Sequence, residues 1–331
     1  MYRASRCRRN PRGAAILAAL LAAGASATPA ALLARPLDPL RLTPEMRAWA
    51  HQQAPPGLDP ELRMERLLDT LLGPAEDALR YDASFNGTAE EVFAAGRYNC
   101  LSLAHLLVAL GREVGVATYY LREAAPRSFR KEGDLVLVTE HVTVGWGETG
   151  ARWELRLQGQ PLALRLDRIS DATALALHYS NLGTDGLRAG RPQQARERLE
   201  AAVATDGELA GAWVNLGVAR RRLGDADGAE AAYLRATEAD PAHATAYVNL
   251  FALLRARGRP DAARELIDLL DRRGNRNPFV FLMLGDAARD DGRLQEARRL
   301  YRRARHRGPR HPEVLAALGE LALAEQRERA A

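Results

Sequence analysis

Cysteine is almost missing from this chain: 331 residues carry two, Cys7 and Cys100. Two thiols so far apart exclude a disulfide-stapled scaffold, and with only scattered histidines around them no metal-ligand spacing appears. A glycine-rich phosphate-cradling loop is also missing, so no metal and no cofactor is expected. Net charge is small, and the formal +5 is accounted for by Arg3, Arg6, Arg8, Arg9 and Arg12. Setting those five aside leaves 42 basic against 42 acidic residues, a balance that argues against nucleic acid as a partner. Long apolar runs are missing too. The longest, Ala14–Ala23, is too short for a stable membrane span.

What is present begins with that run. Arginines, then the apolar stretch, then Ala25-Ser-Ala27 make the three parts of a secretory signal peptide cleaved after Ala27. The expectation is therefore an exported protein, periplasmic in a bacterium, with residues 1–27 removed and no stable span left. A disordered tail or a retained anchor is the competing reading. Cys7 precedes the apolar run and is lost on cleavage, which leaves Cys100 as the thiol of the exported chain.

Residues 28–75 read as a proline- and alanine-rich leader with N-terminal helices. Pro44 opens one helix running to about Gln53, Pro55-Pro56 breaks it, and Glu61–Leu72 forms a second with Met64, Leu67, Leu68, Leu71 and Leu72 on one side. Thr88-Ala-Glu-Glu91 is a capping box that starts a short helix ending near Gly96.

After Asn99 the apolar positions Leu103, Leu106, Leu107, Leu110 and Val114 recur at helical spacing, so Cys100 falls in the first turn of a mostly buried helix. A helix start stabilises a thiolate, and the thiolate is the form that attacks a carbonyl. A buried structural cysteine is the alternative. His105, five positions on, reads as a core or rim histidine. Beyond this helix the period changes to alternation, giving strands at Ala117–Glu123, Asp134–Trp146 and Arg152–Leu157, with His141 on the middle one.

The block Asn99-Cys100-Leu-Ser-Leu with its helix to Gly115, the block Glu140-His141-Val-Thr-Val and the following Arg168-Ile-Ser-Asp171 resemble the bacterial transglutaminase-like superfamily. Within it the chain is similar to exported members that carry a C-terminal tetratricopeptide array. The resemblance covers roughly residues 76–180. It implies a Cys-His-Asp triad on an α+β papain-like fold, in which the Cys attacks an amide carbonyl and the His acts as base and then acid. Arg156 stands where that family's acid is expected, so the catalytic set carried over is Cys100, His141 and Glu154, the last as a substitute on the same strand face.

The repeat is unambiguous. Gly190, Gly224, Gly258 and Gly292 are each 34 residues apart, as are Ala195, Ala229, Ala263 and Ala297. Tyr179, Trp213, Tyr247 and Phe281 keep the same interval, and that interval is the tetratricopeptide period. The glycines make the turn inside each helix pair, Pro241 and Pro309 end second helices, and Leu318-Gly319 marks a terminal capping helix. A groove lined by first helices would carry the apolar row Val214, Val248 and Leu282 beside the arginine row Arg221, Arg255 and Arg289. Such a groove suits a protein or peptide partner with carboxylates; the alternative is that these arginines are the solvated surface of an arginine-rich protein.

The expected architecture is an α+β papain/transglutaminase-like domain (residues 76–170) followed by an all-α tetratricopeptide solenoid (171–331). Two functions follow: cysteine-dependent acyl transfer or amide hydrolysis with the repeats holding substrate, or a non-enzymatic protein-binding scaffold.

Overall fold

Proline and capping side chains set the first helices. Thr43 and Asp59 each accept a backbone N–H at the start of α1 (Pro44–Gln53) and α2 (Pro60–Leu72), with proline in the first turn of both. The computed structural model describes residues 37–74, 78–123, 128–132, 135–139, 141–147, 166–272, 278–310 and 312–330. These fall into two units: residues up to Arg127 with Thr139–Leu175, and Ser128–Val138 with Ala176–Ala331.

In the first unit, α3 (Ala89–Ala95) has the expected capping box, Thr88 with Glu91, and ends on Gly96 at φ 65°. The two-residue strands β1 (Arg80–Tyr81) and β2 (Arg97–Tyr98) pair in parallel and lead into α4 (Cys100–Glu113). Every residue of α4 from Leu101 to Gly111 is buried. A helix apolar on all sides has to be enclosed, and α4 packs against α1, α2 and α3 as well as strands β3 (Thr118–Glu123) and β6 (Val142–Trp146). Trp49 of α1 meets Phe93 of α3 edge-on, at 5.2 Å between ring centres, and Arg47 and His51 both reach Glu113. The helices of residues 44–72 thus pack into the core around α4.

The sheet is antiparallel, in the order β6-β3-β7, with β7 at Leu166–Ile169. Tyr120 of β3 sits opposite Val144 on one side and Ile169 on the other. The strand expected over residues 134–146 is instead two, β5 (Leu135–Thr139) and β6, and β5 pairs with β4 (Ser128–Glu132) in a second small sheet. The expected strand at Arg152–Leu157 and the signal segment 1–27 lie outside the described residues.

In the second unit the period becomes structure. Helix α5 (Asp171–Arg188) is followed by α6 (Pro192–Thr205), and then come the pairs α7 (Ala210–Arg222) with α8 (Ala226–Ala239) and α9 (Ala244–Ala256) with α10 (Pro260–Arg272). The last pair is α11 (Pro278–Asp290) with α12 (Leu294–Arg307), before the terminal α13 (Pro312–Ala330). Gly190, Gly224, Gly258 and Gly292 hold φ between 68° and 82°, the left-handed turn that only glycine adopts without strain. Within pairs the contact is close: a Cβ on Gly217 would lie 2.3 Å from the Tyr233 ring, and one on Gly285 2.4 Å from the Tyr301 ring. In α7 and α9 the aromatic near the helix start also ties down the preceding turn, since Trp213 Nε1 donates to the Gly207 carbonyl at 2.8 Å and Tyr247 OH to that of Pro241 at 3.2 Å. Pro241 and Pro309 follow the ends of α8 and α12, as expected.

Candidate functional site

Cys100 is the first residue of α4, and the residue before it builds the cap. The Asn99 side-chain oxygen accepts from Ser102 N at 2.8 Å, and Ser102 Oγ accepts from Asn99 N at 2.8 Å. The remaining Asn99 amide donates to Asn86 Oδ1 at 2.7 Å, which locks the helix start against the preceding loop. Cys100 carries a thiol, not a disulfide, and is half-buried at the positive end of the helix dipole.

His141 lies immediately before β6 and is 8% exposed. Its carbonyl accepts from Glu123 N at 3.0 Å, which ties it to β3. A small cleft is lined by Cys100 and His141 together with Tyr98, Thr143 and apolar side chains of α4, among them Leu103 and Leu107. The thiol and the imidazole singled out in the sequence therefore share one cleft.

Two further groups belong to this place. Thr143 lines the cleft, and its buried hydroxyl makes no hydrogen bond among the described residues. Tyr81 stacks edge-on with Tyr98 at 5.7 Å. Its phenol is pushed up by burial first and then by the nearby negative charge of Cys100 and Asp82, so Tyr81 also stands close to the thiol. Tyr98 is pushed up in the same direction, by burial and by Tyr81. A tyrosine next to the Cys100 thiol had no sequence signal beyond the Arg-Tyr pair repeated at residues 80 and 97.

Glu154 and Arg156 lie outside the described residues. His105 is a core residue, fully buried, with Nδ1 at 2.7 Å from Tyr120 OH. Among the described residues no group of three or more His, Cys, Asp or Glu side chains is arranged to hold a metal ion, and no helix is long and apolar enough to cross a membrane.

In the repeats, the row expected to be an apolar groove wall is largely interior. Val214 is 3% exposed and packs with Ala236 and Ala246; Leu282 is 8% exposed; Val248 is half-buried. The small alanines on neighbouring helices admit these side chains into the stack, which repeat phase alone does not reveal. The arginine row is uneven as well. Arg289 is engaged by Glu320 at 2.6 Å, Asp290 at 3.5 Å and Asp286 at 3.8 Å. Arg221 and Arg255 are half-buried, and among the described residues Arg255 makes no ion pair.

A row that the sequence reading passed over lies beside it. Asn181, Asn215 and Asn249 share the 34-residue interval. Asn215 Nδ2 donates to Thr184 Oγ1 at 3.1 Å, whereas Asn249 Nδ2 and the Thr245 hydroxyl, one turn apart on α9, are buried without a hydrogen-bond partner among the described residues. Two buried polar groups left unsatisfied cost about 1–3 kcal/mol each.

Models of the tetratricopeptide repeat match residues 181–244 and 215–278, and a second such model matches 278–321. The C-terminal region of the chain is therefore built of tetratricopeptide repeats, a helical solenoid. None of these matches extends to the Cys100 helix. No curated protein matches the chain. Among solved structures the chain is similar to MamA, at 24% identity over 40% of this chain and 78% of that one, with a TM-score of 0.31. PilF of Pseudomonas aeruginosa follows at 21% identity, 48% and 72% coverage and a TM-score of 0.35. A third is the second tetratricopeptide domain of Spaghetti (RPAP3) bound to the HSP90 peptide SRMEEVD, at 18% identity, 30% and 91% coverage and a TM-score of 0.28.

Proposed function

We propose that this protein is a binding scaffold whose repeat array holds an extended peptide segment of a partner protein. The observation that carries the reading is on α9, where Thr245 and Asn249 present buried, unpartnered polar atoms and Arg255 stands nearly three turns from Thr245 without an ion pair among the described residues. A side-chain amide both donates and accepts, so Asn249 matches a peptide group, and the Arg255 guanidinium matches a carboxylate. Arg289 contributes little, because three acids already hold it. The test is fluorescence anisotropy with a labelled acidic peptide selected from a displayed library against the full chain. Loss of one charge-assisted hydrogen bond costs about 1.5–3 kcal/mol and loss of a neutral one about 0.5–1.5, so Arg255→Ala weakens binding by about tenfold or more and Asn249→Ala by about twofold to tenfold, while Arg289→Ala leaves it nearly unchanged. Equal effects at all three positions, or none at Arg255, would sink this reading.

A second reading is favoured by one specific observation, the common cleft of Cys100 and His141. In it the first unit is a transglutaminase-like domain, and the protein is exported after loss of residues 1–27. The Cys100 thiolate attacks an amide carbonyl carbon of the substrate, forming a carbon–sulfur bond and a tetrahedral oxyanion. Collapse breaks the carbon–nitrogen bond while protonated His141 gives its proton to the leaving amine. The thioester then passes its acyl group to water or to a second amine, with His141 taking that proton. Glu154 orients His141. Iodoacetamide alkylation of Cys100 against pH tests this: an activated thiol titrates below the ordinary value of about 8.5, and His141→Ala returns the midpoint to it. An ordinary midpoint in the unmodified protein leaves the scaffold as the whole function.

A further inference from the structure

Residues 80–86 are fastened along their length to the start of the Cys100 helix. Arg80 N donates to the Gly96 carbonyl at 2.9 Å and Asp82 N to that of Tyr98 at 2.8 Å, on either side of the β1–β2 ladder. Arg97 reaches Asp82 Oδ2 at 3.0 Å and lies over the Phe85 ring at 5.0 Å, and the Asn99 amide closes the loop on Asn86. One side chain of this segment is held without being covered. Tyr81 sits opposite Tyr98 in the ladder, edge-on to a ring that lines the Cys100 cleft, and it is 51% exposed. Its hydroxyl makes no hydrogen bond among the described residues.

We propose that Tyr81 is a catalytic residue of the Cys100 cleft, its phenol donating a hydrogen bond to the carbonyl oxygen of the acyl group that Cys100 attacks. The inference rests on the acyl-transfer reading. When the thiolate adds to the carbonyl carbon, the carbon–sulfur bond forms and the π pair of the carbonyl moves onto oxygen. That oxygen needs a donor fixed in advance. His141 is occupied elsewhere, because it moves protons at the leaving amine and at the acceptor. Tyr81 comes from the 80–86 loop instead of from β6, and it lends its hydrogen without giving it up. On collapse the pair returns to the carbonyl, the leaving group departs, and the Tyr81 O–H bond is unchanged.

Two properties suit Tyr81 to this task. A donor to an oxyanion has to keep its proton while a thiolate stands beside it. Burial, then the negative charges of Cys100 and Asp82, push the Tyr81 phenol up, so it stays protonated through the neutral range. Asp82 does not take that hydrogen, since Ser84 and Arg97 already engage its two oxygens. Tyr98 is the poorer choice. It is 6% exposed, and its phenol responds to burial and to Tyr81. The ring of Tyr98 serves as the wall that holds Tyr81 in place, at 5.7 Å between centres.

The experiment acylates the full chain with p-nitrophenyl acetate, whose carbonyl oxygen becomes negative on attack, and alkylates it with iodoacetamide, whose saturated carbon forms no oxyanion. Both rates are taken above the midpoint of the thiol, with Cys100→Ser as the blank. Removing one oxyanion donor costs on the order of a hundredfold in rate, so Tyr81→Phe slows acylation of Cys100 by about that factor and leaves alkylation within about twofold. The retained alkylation also shows that the site is folded. Acylation that depends on Cys100 yet is unchanged in Tyr81→Phe overturns this inference and spares the acyl-transfer reading. Acylation and alkylation that fall together overturn it as well, because Tyr81 then acts on the thiol. If the unmodified protein acylates no faster than Cys100→Ser, the acyl-transfer reading fails and the role of Tyr81 fails with it.

Discussion

Gly217 offers the sharpest quantitative test of how the repeats hold together. Replacing a helical glycine with alanine ordinarily stabilises by about 0.5–1 kcal/mol, because the unfolded chain has less freedom to lose. Here the new methyl would lie 2.3 Å from Tyr233 Cε1 and 2.6 Å from Cδ1, well inside van der Waals contact, and the ring is fully buried. Overpacking a filled core costs about 1–3 kcal/mol, so Gly217→Ala destabilises by a net of about 1 kcal/mol. Tyr233→Ala alone leaves a cavity and costs about 3–5 kcal/mol. In the double variant the ring that clashed is gone and alanine regains its helical advantage. The double variant is therefore more stable than the sum of the single effects predicts, by about 1–3 kcal/mol. Urea unfolding followed by circular dichroism reads all four proteins. A repeat array can unfold in parts, so the comparison uses the transition of the α7–α8 pair, reported by Trp213 fluorescence. Additivity within about 0.5 kcal/mol would refute the claim that Gly217 exists to admit the tyrosine.

Other outcomes follow from the same structure. His178 is buried and its pKa is lowered to about 4, by burial first and Arg198 second. The unfolded chain binds that proton near 6.5, so the contribution is fully present above pH 6.5 and falls away as pH drops towards 4, amounting to about 3 kcal/mol. Thermal melts of His178→Gln should lack that part of the acid dependence, and an unchanged slope between pH 6.5 and 4 would contradict it. Asn99→Ala removes the cap of α4 and the link to Asn86, costing about 1 kcal/mol in denaturant unfolding; in the acyl-transfer reading it also raises the pH at which iodoacetamide reacts with Cys100. Asp171 is held below the usual carboxylate range by its paired hydrogen bonds from Arg112, at 2.5 and 2.9 Å. Both partners are partly exposed, so Arg112→Ala costs no more than about 1 kcal/mol, read by the urea midpoint at neutral pH.

Features decided by neighbours in sequence could be read before the structure. The 34-residue interval, the left-handed glycines and the prolines after second helices all emerged as expected, because each acts within a turn or two of chain. The Cys100 helix start was legible for the same reason, since Asn99 and Ser102 cap it locally. What depends on distant packing was not. Val214 sits at an ostensible groove position yet is enclosed by Ala236 and Ala246, which come from two other helices. Alternation runs through residues 134–146 without a signal of the break that separates β5 from β6 and sets His141 at a strand start. Asn249 was overlooked because asparagine is commonplace on helices; only its burial without a partner singles it out.

The central claim, that the repeats hold a peptide along their first helices, is tested most directly by site-specific photocrosslinking. Ala252 is exposed on α9 between Asn249 and Arg255, whereas Leu234 is exposed on the second helix α8. With a photoreactive phenylalanine placed at one position or the other in the full chain, the selected acidic peptide should crosslink at 252 and not at 234. Crosslinking at 234, or at neither position under saturating peptide, would contradict the account.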